Sequence, residues 1–218
     1  MIRIVIFCLT LLVPQLSEAS AYTVGYYPHF QIDKFKTIVE KSYQDIGIDI
    51  EFVEMAVAER AYLELNAGHL DAEVARAKQN AQHYENVVVI EPHILEANMY
   101  LLCKPERVCD TSVFTDEKVW IIATRAITAL LPEEISETLS ARFYDMGNVK
   151  SVYSMFESER FDYAVISVDQ DQLPALKRAY QSHLLTVVKG YHIINKKHAA
   201  LADKLSEAIA RNKQSIAQ

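Results

Sequence analysis

The stretch ERAYLELNAGHLDAEVAR, running from Glu59 to Arg76, decides how the rest of the chain is read. It reads as an amphipathic helix, a stop at Gly68, a short strand opening Leu70-Asp71-Ala72, and an arginine where that strand ends. In an open α/β sheet, ligands bind in the crevice beyond the carboxyl ends of the strands. An arginine delivered there is a candidate anion clamp, because its planar guanidinium grips a carboxylate with two donors. The competing role for Arg76 is a salt bridge with Glu73 or Glu51.

Upstream, Met1-Ile2-Arg3 is a short basic segment, residues 4–13 are apolar, and Ala19-Ser20-Ala21 has the small-residue pattern of a cleavage site. Residues 1–21 are therefore expected to be a signal peptide, with the mature chain starting at Tyr22. The apolar run is too short to span a bilayer. Cys8 follows Phe7, not a small residue, so lipid attachment is not expected, and a soluble periplasmic protein follows. In such a compartment Cys103 and Cys109 are expected to form a disulfide. So short a loop removes little chain entropy, about 2 kcal/mol, and staples the turn around Lys104-Pro105.

Half of the residues are hydrophobic and the formal net charge is −7. Removing residues 1–21 leaves that charge unchanged, since it takes away Arg3 and Glu18. The sign argues against nucleic acid or an anionic membrane surface as partner. Seven scattered histidines lack metal-ligand spacing, so neither a metal nor a cofactor is expected. No nucleophile stands beside a paired base.

Along the chain, strand and helix alternate. Strands are expected at residues 22–26, 49–53, 70–75, 87–90, 99–103, 119–123, 163–167 and 184–194. Helices are expected at 33–46, 58–66, 149–157, 169–180 and 199–216, with another opened by Pro132. This alternation predicts mostly parallel sheets covered by helices, in two α/β lobes.

Tyr27-Pro28-His29-Phe30 after the first strand, the run from Arg60-Ala61 through Gly68 to Asp71-Ala72, and Phe161-Asp162-Tyr163-Ala164-Val165 carry a resemblance. The chain resembles the type 2 periplasmic solute-binding proteins, in particular extracellular solute-binding family 3, whose members bind amino acids. The resemblance implies an α/β fold of two lobes with a two-strand hinge. Lobe one would be residues 22–98 with 189–218, and lobe two residues 99–188. The expected protein is a monomer that captures a small solute for a membrane permease of the ABC type, and Arg76 with Arg125 points to an anionic or zwitterionic, amino-acid-like solute. A membrane sensor is the alternative partner, and a dehydratase-like enzyme on the same fold, with Glu73 as its acid, the further alternative; no catalysis is the expectation.

The expected ligand-binding residues are Tyr27, Phe30, Arg60, Arg76, Thr124, Arg125, Ser167 and Asp169. In the family a threonine and an arginine follow the Asp-Ala strand, but the matching positions here hold Asn80 and His83. Arg76 would then replace the missing clamp. Ser167 stands where the family often has the aspartate that holds an ammonium group, with Asp169 two residues on as a substitute or a helix cap. Arg60 has Glu54 or Glu64 as rival partners, and Tyr27 and Phe30 would wall the site.

Overall fold

The computed structural model describes residues 21–28, 32–168 and 173–216. Residues 1–20 of the expected leader, Phe30 and Asp169 lie outside the described residues. Gly68 ends its helix as expected: its φ is 81°, and its N–H reaches the Leu65 carbonyl at 3.0 Å while that of His69 reaches Glu64 at 2.9 Å. A side chain at that φ would be strained, so glycine is needed to close helix α2 (Ala58–Ala67).

Strand β3 (Ala72–Ala77) follows and lies parallel to β1 (Tyr22–Tyr26), with Gly25 opposite Glu73. On the other side of β1 lies β2 (Ile50–Glu54), also parallel and reached through α1 (Ile32–Asp45). Helix α1 buries Phe35, Ile38, Val39 and Tyr43, one face at helical spacing. After the short α3 (Lys78–Ala81), strand β4 runs over Val87–Cys103. The two short strands expected at 87–90 and 99–103 are thus the ends of one strand. Polar residues between them break the apolar pattern, but the partner strand supplies a ladder on both sides of the break.

The second round comprises β5 (Trp120–Thr124), α4 (Arg125–Thr128), α5 (Glu133–Ser136), β6 (Arg142–Met146), α6 (Val149–Glu157), β7 (Tyr163–Val168) and α7 (Leu173–Ala179). Then β8 (Gln181–Asn195) and α8 (Ala202–Ile216) complete the chain. Strand β6 has no counterpart in the sequence reading; it is an edge strand with mostly solvent-facing side chains, and so lacks an apolar run.

All eight strands join in one mixed sheet, in the order β2-β1-β3-β8-β4-β7-β5-β6. The long antiparallel pair β4 and β8 is its centre, with a register irregularity between Ile90 and Leu95. Alternation along the inner strands serves both faces: Met99 and Leu101 pack with Ile121 and Val165, whereas Tyr100 and Leu102 pack with Ile122 and Phe156. Two further clusters form around Val24, Ile38 and Ile209 and around Ala61, Leu65 and Ile193. Each cluster draws only on residues 22–95 with 193–209, or only on residues 99–188. The expected disulfide joins Cys103 and Cys109, with an S–S distance of 2.05 Å.

Asp71, from the opening stretch, ties β1, β3 and the C-terminal segment together. Its carboxylate accepts from the Thr23 N–H at 2.8 Å and from the Thr23 hydroxyl at 3.0 Å, and lies 2.8 Å from Lys197 Nζ and 2.7 Å from His198 Nε2. Burial alone would raise its pKa, but Lys197, Thr23 and His198 outweigh that and lower it to about 2. Behind it, His192 of β8 is fully buried 3.0 Å from the Tyr43 hydroxyl. Burial lowers its pKa to about 4, against the backbone of Val74 and Glu73.

Both groups bind fewer protons folded than unfolded, so both make stability rise with pH. Asp71 contributes fully above its ordinary value of 3.8 and loses that contribution as pH falls toward 2. His192 contributes fully above 6.5 and loses it between 6.5 and 4, at most about 3 kcal/mol. Denaturant titrations at several pH values should therefore show a sloping loss between pH 6.5 and 4 that His192→Gln removes; an unchanged slope would reject the assignment. At pH 7, Asp71→Asn should lower the unfolding free energy by about 2 kcal/mol, as expected for lost charge-assisted hydrogen bonds.

Candidate functional site

Tyr27 leaves the end of β1, Arg76 lies near the end of β3, and Thr124 and Arg125 form the junction of β5 and α4. The topology brings Tyr27 and Arg76 together: the guanidinium carbon of Arg76 is 6.0 Å from the centre of the Tyr27 ring and 5.2 Å from that of Tyr62. Tyr62, one helical turn beyond Glu59 on α2, is itself stacked on Tyr84 at 5.0 Å. Arg76 is thus held between aromatic faces, where a cation is attracted to the ring quadrupole.

Arg76 is not a free cation. Its Nε donates to Oε2 of Glu73, whose side chain is only 1% exposed. Gly25 provides the room: a Cβ there would lie 3.3 Å from Cγ of Glu73 and 2.9 Å from Leu70. Burial pushes the Glu73 carboxyl up despite Arg76, while Glu73 and Tyr62 hold Arg76 above its ordinary value against burial. The contact uses one atom of each group. Arg76 Nη2 and Glu73 Oε1 are both buried and have no hydrogen-bond partner.

Among the described residues, contacts cross from the strand ends of residues 22–95 to those of residues 99–188. The Tyr27 hydroxyl donates to the Gly147 carbonyl at 3.4 Å, Asn80 Nδ2 donates to the Ala126 carbonyl at 3.4 Å, and Arg125 lies 3.7 Å from Glu59. Arg125 is also 3.5 Å from Asp145, so it faces two carboxylates. Thr124 is buried at the start of α4 without a side-chain cap bond.

A cavity of about 970 Å³ lies beside Tyr27, between the ends of β1 and β2 on one side and α6 and α7 on the other. Val149, Lys150, Tyr153 and Glu157 present one face of α6 to it, with Leu176 and Tyr180 beyond and Glu54 opposite. Asn148 fixes the start of α6 by accepting from the Ser151 N–H at 2.8 Å. Burial, reinforced by Glu157, raises the Tyr153 phenol to about 12. The dimensions suit a small organic molecule.

Of the other expected residues, Arg60 points into solvent and lies 3.4 Å from Glu64, its rival partner. Ser167 is the penultimate residue of β7 and pairs with Met99. Tyr62, Tyr153 and Glu157 were missed by sequence reasoning. Tyr153 and Glu157 share one face of a helix that the sequence did show, so their i,i+4 spacing was the available signal. Among the described residues no group of three His, Cys, Asp or Glu side chains is placed to hold a metal ion, and no helix is long and apolar enough to cross a membrane.

No family model and no curated protein matches the chain in sequence. Solved structures do match it in fold. One is an ancestral amino-acid-binding protein, AncCDT-1, a precursor of cyclohexadienyl dehydratase, with a TM-score of 0.72, 13% identity, and 90% of this chain and 93% of that one covered. Another is the substrate-binding protein of an amino acid ABC transporter, at 0.67, 14%, 89% and 94%. A third is the periplasmic domain of B. pertussis BvgS, at 0.69 and 12%, where 90% of this chain corresponds to 41% of that one. At these identities the likeness is one of architecture, and the chain has the two-lobed α/β fold of the periplasmic binding proteins.

Proposed function

We propose that this protein is a periplasmic solute-binding protein that closes two lobes on a small zwitterionic, amino-acid-like solute and presents it to a membrane partner. The observation that carries the reading is the set of contacts across the cleft, Tyr27 to Gly147, Asn80 to Ala126 and Glu59 to Arg125, beside a cavity walled from both sides. Lobe one is residues 22–98 with 189–218 and lobe two residues 99–188, supported by core clusters that do not mix across those limits. Closure by hinge motion about β4 and β8 follows.

Arg76 and Arg125 point to an anionic or zwitterionic solute, and each of them, like Arg60, faces a carboxylate: Arg76 with Glu73, Arg125 with Glu59 and Asp145, and Arg60 with Glu64. A plain anion would meet those carboxylates as well as the guanidinium groups. A zwitterion meets both signs favourably, so it is the version the site supports. Transport is the role proposed, since an ABC-transporter binding protein shares the fold; a sensor role has the same support from the BvgS domain. Cross-linking in the native envelope separates them by capturing a permease or a receptor.

The mature chain should carry a small molecule detectable by mass spectrometry after denaturation. In a thermal-shift panel of amino acids, dicarboxylates and polyamines, a zwitterionic member should raise the melting temperature, as about 2.7 kcal/mol of stabilisation at a hundredfold excess over Kd requires. A chain that carries nothing and responds to none of them would overturn the reading.

A further inference from the structure

Most charged atoms enclosed in a folded protein are paired, because an unpaired buried donor or acceptor keeps its full desolvation penalty. Glu73 and Arg76 break that pattern in a particular way. Arg76 Nη2 is an unused donor with positive charge, and Glu73 Oε1 is an unused acceptor with negative charge. They flank the single bond between Arg76 Nε and Glu73 Oε2. Arg76 lies 6.0 Å from the centre of the Tyr27 ring, and Tyr27, unlike the pair itself, borders the cavity and reaches Gly147 through its hydroxyl.

We propose that Glu73 and Arg76 act together as one receptor for a zwitterionic head group, with Glu73 Oε1 accepting from the solute's ammonium and Arg76 Nη2 donating to its carboxylate. The inference rests on the solute-binding reading above and adds the residue that selects the amine. It places both head-group contacts in the same lobe, on β3. No acidic side chain of lobe two is then required for the ammonium, which accounts for a serine at position 167. The apolar body of the solute extends past Tyr27 into the cavity, toward Tyr153, Leu176 and Tyr180.

Charge matching makes the consequence specific. The carboxylate alone would bring a second negative charge beside Glu73, and the amine alone a second positive charge beside Arg76. Either half of the zwitterion therefore leaves one buried atom unpartnered and one like-charge contact. The complete head group removes both.

Four probes with one phenyl body test this on the mature wild-type chain by calorimetry: phenylalanine, 3-phenylpropanoate, phenethylamine and phenylalaninamide. Phenylalanine should bind at least about tenfold more tightly than each of the others, and Glu73→Gln should erase its advantage over 3-phenylpropanoate. Equal binding of 3-phenylpropanoate and phenylalanine by the wild-type chain would overturn the role of Glu73. Equal binding of phenethylamine or phenylalaninamide would overturn that of Arg76. Binding of none of the four would overturn the assignment, as would a co-purifying solute without a zwitterionic head; the latter would leave the solute-binding reading intact. Because these comparisons use the wild-type chain, they hold even if Glu73→Gln fails to fold.

Discussion

The antiparallel pairing of β4 with β8 is the constraint on which the rest of the molecule depends. The chain passes from one set of core clusters to the other in β4 and returns in β8, so these strands belong to both. Their ladder shifts register twice, between Ile90 and Leu95 and between Met99 and Tyr100, and the first shift leaves the wider gap in the pairing. At that level Gly190 faces Leu95 so closely that a Cβ would lie 3.0 Å from Leu95 Cδ2. The missing side chain lets the two strands approach where the ladder is irregular. Because none of the core clusters straddles this point, the proposed hinge rotation there would bend a two-stranded ribbon and leave the packed interiors unchanged.

The parts of the fold legible in the sequence are those set by local chemistry. Gly68 ends α2 because the backbone needs a positive φ there, and α1 declares its buried face through Phe35, Ile38, Val39 and Tyr43. Strand β4 was read as two pieces because its continuity comes from β8, far away in sequence. Strand β6 was not read at all, since Arg142-Phe143-Tyr144-Asp145-Met146 owes its conformation to pairing with β5 more than to any alternation of its own.

The site was less legible, and Glu73 with Arg76 shows why. Residues three apart on a regular strand point to opposite faces of the sheet, so a plain strand argues against the Glu73 contact that the sequence offered as the competing role for Arg76. The structure has a register irregularity between Glu73 and Arg76 in the ladder with β8, and it turns the two side chains toward each other. A bulge of this kind leaves no mark in composition or spacing. The same holds for Tyr62, which reaches Arg76 only because α2 packs over the end of β3.

A buried ion pair held through one atom of each group is weak support for a fold, since the desolvation of both charges offsets much of their attraction. The energetic meaning of this pair lies in what would complete it. Tyr27 lies against Arg76 and reaches Gly147 through its hydroxyl, so on the proposed lobe division it belongs both to the surroundings of the pair and to the contacts across the cleft. On the proposed assignment, a solute that satisfies Glu73 Oε1 and Arg76 Nη2 would stabilise the arrangement in which Tyr27 lies against Arg76 and reaches Gly147, and so a closed state over an open one. A ligand shifts such an equilibrium only by its difference in affinity for the two states. On the proposed assignment, that difference is the removal of two buried, unpaired charged atoms, which couples recognition of the head group directly to closure of the lobes.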